Sequence, residues 1–396
     1  MASRKKSSTK VAKAAAPGSS ASKKTALKKL PQQTVPPLNE IRTQIDAIDD
    51  ELLQLLSKRA KVAQMVGLSK KQQGSATTAD LYRPERESQV IRRALDNNAG
   101  PLSNEEIARL FREIMSACLA QQEPLKIGYL GPEGTFTQQA VYKHFGHSVR
   151  GVALPSIPEV FHEVQAGHAD FGVVPIENST GGAVEFSIDM FLNTTLKICG
   201  EIELRVHQNL MGRMRGLENI QRVCSHAQSL SQCRQWLLRH LPDVELIPVS
   251  SNAEAARRAR DEEGTAAIAG QVAAEIYNLN IIVPEIEDQQ DNTTRFLVIG
   301  PKLFTPSGHD KTTLLVSAGD TQVPGALYRL LEPLARNGIS LTRIESRPSR
   351  RKKWDYVFFI DVEGHADAEP LRSALTELKK NASLFKILGS YPAAVL

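Results

Sequence analysis

A chain of 396 residues is long enough for several domains, and its 41% apolar and 23% charged residues are ordinary for a soluble globular protein. No apolar run approaches the roughly 20 residues needed to cross a bilayer, so we expect no membrane span. The four cysteines form no CxxC pair, which argues against structural zinc or a disulfide framework and favours a reducing cytoplasm.

The net charge of +5 is carried by one end of the chain. Residues 1–37 hold nine Lys and Arg, and no acid occurs before Glu40, so the remainder carries 5 − 9 = −4. A mildly acidic remainder gives no reason to expect a nucleic-acid-binding core. Because this tail is rich in Lys, Ala and Ser, we predict that it is disordered.

The next segment has helical periodicity. Apolar residues recur in steps of three and four from Leu38 to Leu55, which predicts one long amphipathic helix with a coiled-coil-like seam. Arg59 interrupts that seam among apolar neighbours, and an unpaired buried charge costs several kcal/mol. Arg59 therefore needs an anion, either a Glu on another helix or an anionic ligand, and taken alone the first is favoured.

Two further helices are predicted. Lys70 follows on the same face, a polar stretch spans 71–80, and Pro84 marks the first turn of a second helix. Ser103 is a good N-cap for a third helix, on which Cys118 and Gln122 are one turn apart and face the bundle together.

The order and spacing of these residues resemble the small all-helical chorismate mutases, in which the first helices of two subunits pair and each site is completed by the partner. The resemblance covers residues 38–122 and implies a role for each matching residue. Arg42 would come from the partner subunit, Arg59 would clamp a carboxylate, Lys70 and Gln122 would contact the ether oxygen, Arg86 and Glu87 would lie over the ring and its hydroxyl, and Cys118 stands where some relatives have serine.

Chorismate rearranges to prephenate by a pericyclic reaction, so this site needs no nucleophile, base, metal or cofactor. It needs a compact dianion and donors aimed at an oxygen that gains charge. Arginines and amide donors fit that need.

Beyond Pro124 the pattern alternates between strands and helices. Residues 126–131 predict a strand that turns through glycines into a helix, where backbone N–H groups can meet an anion. The turn is neither GxGxxG nor GxxxxGK[ST], which excludes dinucleotide and P-loop sites. Strands at 171–175, 221–224 and 266–269 then predict α/β lobes with ligands at strand carboxyl ends.

The ordered motifs of this segment resemble the prephenate dehydratases, whose two lobes are like those of periplasmic solute-binding proteins. The resemblance implies that Thr294 of the Thr-Arg-Phe motif is catalytic and that Thr135 helps to hold a carboxylate. It also implies a cleft lined by Glu177, Asn178, Ser225, His226 and Gln232. Prephenate loses its ring carboxylate and hydroxyl to give phenylpyruvate, and either Thr294 or Glu177 could supply the proton.

The last segment, 310–396, predicts the order βαββαβ of a ferredoxin-like domain. Two of its motifs resemble those of amino-acid-binding ACT domains. The implied effector is phenylalanine, held between one motif of one chain and the other of its partner: Gly325, Ala326 and Leu327, and Glu345, Ser346, Arg347 and Pro348.

The sequence thus predicts a multidomain cytoplasmic enzyme that forms a homodimer or higher homo-oligomer. Its parts are a basic tail (1–37), an all-α mutase domain (38–124), a two-lobed α/β dehydratase domain (125–303) and an α+β ACT domain (310–396). The alternatives are an amino-acid-sensing protein without turnover and a dehydratase that prefers arogenate.

Overall fold

A computed structural model describes residues 36–72, 81–318, 324–349 and 356–395. The predicted disordered tail lies, but for its last two residues, outside the described residues, as does most of the polar stretch 71–80. Within the described residues, no helix is long and apolar enough to span a membrane.

Three helices open the described chain, as predicted: α1 (Leu38–Gln72), α2 (Pro84–Asp96) and α3 (Asn104–Ala120). Pro84 is the first residue of α2, where its missing N–H costs nothing. The Ser103 hydroxyl accepts a hydrogen bond from the Glu106 backbone N–H at 3.2 Å, which fixes the start of α3.

The predicted apolar seam of α1 is exposed. Between Leu38 and Gln54, Ile45 and Ile48 are 51% and 57% exposed. Farther along the helix, Val62 and Met65 are 53% and 67% exposed. Exposed apolar stripes of this kind mark surfaces that another element covers.

The middle segment follows as alternating strands and helices. In chain order these are β1 (Lys126–Leu130), α4 (Phe136–Phe145), β2 (Arg150–Leu154), α5 (Ile157–Gln165), β3 (Phe171–Asn178), β4 (Gly182–Ala183), α6 (Glu185–Asn193), β5 (Lys197–Arg205), β6 (Asn209–Gly212), β7 (Arg222–His226), α7 (Ala227–Gln232), α8 (Arg234–His240), β8 (Glu245–Val249), α9 (Asn252–Asp261), β9 (Thr265–Ala269), α10 (Gln271–Tyr277), β10 (Asn280–Val283) and β11 (Thr293–Gly300).

These strands form two sheets, one in each lobe. The first lobe has the order β2-β1-β3-β11-β5, with β4 paired to β3, and the second has β10-β6-β9-β7-β8. The chain leaves the first sheet after β5, builds the second, and returns as β11 between β3 and β5. Because β11 is antiparallel to β3, the start of β11 lies beside the carboxyl end of β3, at the edge where ligands bind.

The C-terminal domain has the predicted ferredoxin-like order: β12 (Asp310–Ala318), α11 (Ala326–Arg336), β13 (Leu341–Pro348), β14 (Tyr356–Glu363), α12 (Leu371–Asn381) and β15 (Ala382–Pro392). Its sheet runs β13-β14-β12-β15, so β13 is an edge strand.

This domain shares a core with the first lobe. Phe359 and Tyr391 of its sheet are buried in one apolar cluster with Val174, Ile188 and Phe191. Removing the C-terminal domain would therefore expose core residues of the first lobe to water. Each Å² of apolar surface exposed in this way costs about 25 cal/mol.

Candidate active sites and effector site

A polar cavity of about 540 Å³ lies where the two lobes face each other. Five of the predicted dehydratase residues line it, namely Thr135, Asn178, His226, Gln232 and Thr294. Residues 177 and 225 are not among its lining residues.

Thr294 and Asn178 are direct neighbours across β11 and β3. The Asn178 side-chain N–H donates to the Thr294 hydroxyl oxygen at 2.8 Å. Among the described residues this is the hydrogen bond that Thr294 Oγ1 makes, and it uses the oxygen, not the proton. The Thr294 O–H therefore keeps its own proton for an acceptor in the cavity.

The amide of Asn178 is held in this orientation by its own loop. Its oxygen accepts from the Thr180 hydroxyl at 2.7 Å and from the Gly181 backbone N–H at 2.8 Å. With the oxygen occupied by these donors, the NH₂ group faces Thr294 and the Asn292 side-chain oxygen. The result is a donor held in a fixed position on the Thr294 hydroxyl oxygen.

A chain of amides joins the two lobes at the base of the cavity. Gln232 donates to the Thr180 hydroxyl at 3.2 Å and accepts from Gln208 at 3.1 Å and from Asn292 at 3.3 Å. Sequence reasoning predicted Gln232 as a site residue but neither of the other two amides, Gln208 and Asn292. Asn292 stands just before the Thr-Thr-Arg-Phe stretch and could have been suspected, whereas nothing near Gln208 marks it.

Ser225 and His226 are the last two residues of β7, directly before α7. The Ser225 hydroxyl is buried and lies 2.7 Å from the Ile268 carbonyl oxygen, to which it donates. The Asn252 side-chain oxygen accepts from the His226 backbone N–H at 3.1 Å. These bonds fix the rim of the second lobe, and the His226 ring Nδ1 caps α7 by accepting from Gln228.

Thr135 caps the helix on the opposite side of the cavity. Its hydroxyl donates to the Leu130 carbonyl at 3.2 Å and accepts from the Gln138 backbone N–H at 3.4 Å. Phe136 and Thr137, in the first turn of α4, also line the cavity, and the backbone N–H groups of a first helical turn have no intrahelical partners.

Glu177 lies on the other face of the same strand. Successive side chains of a strand point to opposite faces, so Glu177 faces away from Asn178 and Thr294. Its carboxylate pairs with the Arg343 guanidinium of the C-terminal domain at 2.7 Å.

The second half of α1 contacts α3, the residues just after α3 and the segment that precedes α2. Gln122 donates to the Ala63 carbonyl at 2.9 Å, and a Cβ at Gly67 would overlap the Gln122 side chain. Arg59 lies 3.5 Å from the Ile114 carbonyl, and Lys70 donates to the Leu81 carbonyl at 3.1 Å.

The other members of this set differ in exposure. Cys118 is buried and Arg86 is exposed, while Glu87 is half-buried. The pKa of Glu87 is raised to about 7 because burial penalises its charged form more than the nearby Arg112 and Arg59 guanidinium groups favour it. Arg42, on the first half of α1, is exposed.

The two predicted effector motifs lie at the start of α11 and on β13. Gly325 has φ 76°, a conformation that glycine adopts without strain, and it precedes the first turn of α11. On β13 the burial alternates: Arg343, Glu345 and Arg347 are half-buried, whereas Ser346 and Pro348 are exposed.

Comparisons with known proteins agree with this architecture. Three family descriptions match the chain in order: chorismate mutase type II over residues 41–123, prephenate dehydratase over 127–303 and the ACT domain over 312–380. A bifunctional chorismate mutase/prephenate dehydratase of Pseudomonas aeruginosa is 52% identical over 361 residues, which are 91% of this chain and 98% of that protein.

Two solved structures are similar to about two thirds of the chain. A prephenate dehydratase of Arthrobacter aurescens in complex with L-Phe is 33% identical with a TM-score of 0.62, and the match covers 68% of this chain and 90% of that one. GqqA, described as a novel type of quorum-quenching acylase, is 29% identical with a TM-score of 0.63, with 68% and 98% covered.

The fold and the polar cleft define a fused metabolic enzyme, with a helical mutase domain, a two-lobed lyase domain and an ACT domain. The chain belongs to the bifunctional chorismate mutase/prephenate dehydratase family. It is an isomerase that converts chorismate to prephenate and a carbon–oxygen lyase that converts prephenate to phenylpyruvate. Membership in this family speaks against the sensor without turnover.

Proposed function

We propose that Thr294 is the hydrogen-bond donor to the departing ring hydroxyl of prephenate. The observation that carries this assignment is the 2.8 Å bond in which Asn178 donates to Thr294 Oγ1. That bond makes the hydroxyl a better donor, because hydrogen bonds in a chain polarise one another. It also fixes the direction of the remaining proton.

In the proposed step the C–C bond to the ring carboxylate breaks and releases CO₂. Its electron pair forms the last double bond of the aromatic ring, and the ring C–O bond breaks. The hydroxide leaves as water with a proton passed through Thr294 and replaced from solvent. Aromatisation supplies much of the driving force, so one oriented donor and correct positioning suffice.

The charge of the cavity suits a decarboxylation. Its described lining residues include no Lys or Arg, and apart from the Glu254 carboxylate and the His226 imidazole their polar groups are hydroxyl, amide and backbone groups. A guanidinium held on the departing carboxylate would stabilise the substrate more than the transition state, which loses that charge. Neutral donors bind the carboxylate without opposing its loss.

Glu177 is the weaker candidate for the acid. Its carboxylate pairs with Arg343 at 2.7 Å on the face of β3 that points away from Thr294, and Glu177 is not among the described residues that line the cavity. The test is to feed chorismate to Thr294→Ala and Thr294→Ser variants. Thr294→Ala should accumulate prephenate while Thr294→Ser, which keeps the hydroxyl, recovers much of the turnover. Normal phenylpyruvate formation by Thr294→Ala would reject the assignment.

For the mutase we propose a site built from Arg59, Lys70, Glu87 and Gln122 of one chain and Arg42 of a second copy, with Arg86 and Cys118 beside it. The exposed apolar residues of α1 support pairing with a second α1, since a surface of this kind is costly in water. We therefore propose a homodimer as the smallest active form.

We further propose that phenylalanine binds the C-terminal domain and inhibits the dehydratase. The similar Arthrobacter structure is a complex with L-Phe. The exposed face of β13, an edge strand, supports a ligand shared with a second chain.

A cytoplasmic setting, which we also propose, agrees with four free, buried cysteines.

We propose prephenate, the product of the fused mutase, as the preferred substrate of the cleft. Turnover of prephenate and arogenate by the same preparation tests this preference, and faster turnover of arogenate would reverse it.

A further inference from the structure

The catalytic strand pair has a second face, and that face touches the regulatory domain. Thr294 pairs with Asn178 at the cavity, and the next pair along the ladder is Arg295 with Glu177. Because side chains alternate, Arg295 and Glu177 point towards the C-terminal sheet. The two strands that carry the reaction are thus held from behind by two arginine–carboxylate contacts.

The first of these contacts is a closed cluster. Arg295 bonds to Glu201 at 2.9 Å, to Asp361 at 2.5 Å and to the Tyr391 hydroxyl at 3.1 Å. Lys311 pairs with the remaining oxygen of Glu201 at 2.7 Å, so two cations balance two buried carboxylates. Breaking such a cluster leaves a buried charge uncompensated, which makes it a permanent anchor.

The second contact is open. Arg343 of β13 donates through Nε to Glu177 at 2.7 Å, and its Nη2 lies 3.5 Å from Glu345. That Nη2 is buried and has no hydrogen-bond partner among the described residues. Arg343 therefore lies between the Glu177 carboxylate, beside the Thr294–Asn178 pair, and the Glu345 carboxylate of the effector motif. Its buried Nη2 group can still donate a hydrogen bond to a further acceptor.

We propose that Arg343 is a positioning residue for the dehydratase and the link through which the effector acts. Its bond to Glu177 fixes the end of β3, and with it the Asn178 amide that donates to Thr294. Glu345 competes with Glu177 for the same guanidinium. A ligand bound at residues 345–348 shifts the equilibrium between the Arg343–Glu177 and Arg343–Glu345 ion pairs. This inference rests on the proposed roles of Thr294 and of the phenylalanine site.

The link satisfies what a regulatory contact requires. An effector shifts an equilibrium only through contacts that differ between two states, and here the two states are Arg343 on Glu177 and Arg343 on Glu345. The side chains of Glu177 and Glu345 are 40% and 30% exposed, so neither is locked by deep burial and exchange is feasible. Glu177 in this scheme transmits position and transfers no proton.

The experiment compares full-length Arg343→Ala, Arg343→Lys, Glu177→Gln and Glu345→Gln with Arg336→Ala. Arg336 is the matched control because its pairs, with Glu332 and Glu377, stay within the C-terminal domain. Dehydratase kcat and KM, the pH profile of kcat and the inhibition by phenylalanine are measured, and phenylalanine binding is followed separately by calorimetry.

Arg343→Ala and Glu177→Gln should each lower kcat by roughly 2- to 30-fold with little change in KM and no loss of a titration step. The double variant that combines Arg343→Ala with Glu177→Gln should be no worse than either single one, and Arg343→Lys should recover part of the rate. Glu345→Gln should show weaker inhibition at phenylalanine concentrations at which calorimetry shows its site to be filled, while Arg336→Ala behaves like the unaltered enzyme.

Three results would overturn the link. They are normal kcat and inhibition in Arg343→Ala, additive losses in the double variant, or the disappearance of a titration step in Glu177→Gln alone, which would make Glu177 the acid. Full dehydratase activity in Thr294→Ala, or no phenylalanine binding by the unaltered enzyme, would instead reject the proposals on which it rests.

Discussion

Gly389 of β15 lies directly against Ile198 of β5, where a β-carbon at position 389 would overlap the Ile198 carbonyl oxygen. The obstacle is backbone, which cannot rotate away as a side chain can. Gly389 therefore allows the regulatory sheet to approach the first lobe closely enough for the Arg295 and Arg343 contacts to form.

Replacing this glycine should loosen the regulatory domain. We expect Gly389→Ala to destabilise the protein by about 1–3 kcal/mol, the usual cost of overpacking, and to weaken inhibition by phenylalanine. Chemical denaturation and inhibition curves measure the two effects. Gly308→Ala is the control, because position 308 has open space around it and a φ of 100°, so it reports backbone strain alone. Equal behaviour of the two variants would mean that the close contact is unimportant.

Arg59→Ala should abolish most mutase activity and leave the dehydratase nearly intact. A charge-assisted bond to a carboxylate is worth roughly 1.5–3 kcal/mol, so losing one clamp should cost at least an order of magnitude in kcat/KM. Chorismate consumption and phenylpyruvate formation from added prephenate report the two activities separately. Lys58→Ala, an exposed neighbour on α1, is the control. Near-normal mutase turnover by Arg59→Ala would place that site elsewhere.

The mutase should lose activity as the pH rises through neutrality. Burial raises the pKa of Glu87 to about 7, so the group is protonated and a donor below that value, and an anion that repels a dianionic substrate above it. The folded-state pKa of Glu87 lies above its ordinary value of 4.5. Protonation of Glu87 therefore stabilises the folded state fully below about pH 4.5, and this stabilisation is lost as the pH rises towards 7. Glu87→Gln should flatten the pH profile of kcat/KM. An unchanged profile would show that Glu87 does not titrate in this range.

Phenylalanine should stabilise the folded assembly while leaving the mutase nearly unaffected. A ligand at roughly 100 times its dissociation constant adds about 2.7 kcal/mol to stability, which a melting-temperature shift reports. The dehydratase rate should fall over the same concentrations. No melting shift and no loss of dehydratase rate at saturating phenylalanine would contradict the proposal.

Truncation is the wrong way to separate regulation from catalysis in this chain. The sequence suggests a cut near Leu303, but Phe359 and Tyr391 share a buried cluster with Phe191 of the first lobe. Such a cut would uncover apolar core, and an inactive product would say nothing about phenylalanine. Point variants on the contact surface avoid that failure.

Local patterns in the sequence were enough to predict the helices and the βαββαβ order, whereas the role of Thr294 was implied only by the resemblance to the prephenate dehydratases. Periodicity places Ile45 and Leu52 on one helical face, and the Ser103–Glu106 spacing caps α3, because each of these signals depends on residues only a few positions apart.

Only the tertiary structure decided which face of β3 serves which domain. Glu177 and Asn178 are adjacent in the chain, yet one pairs with Arg343 and the other donates to Thr294. Their partners are more than a hundred residues away, and no local pattern encodes that distance. The strand's alternation separates the two side chains, and the packing of the regulatory sheet against the first lobe gives each its role.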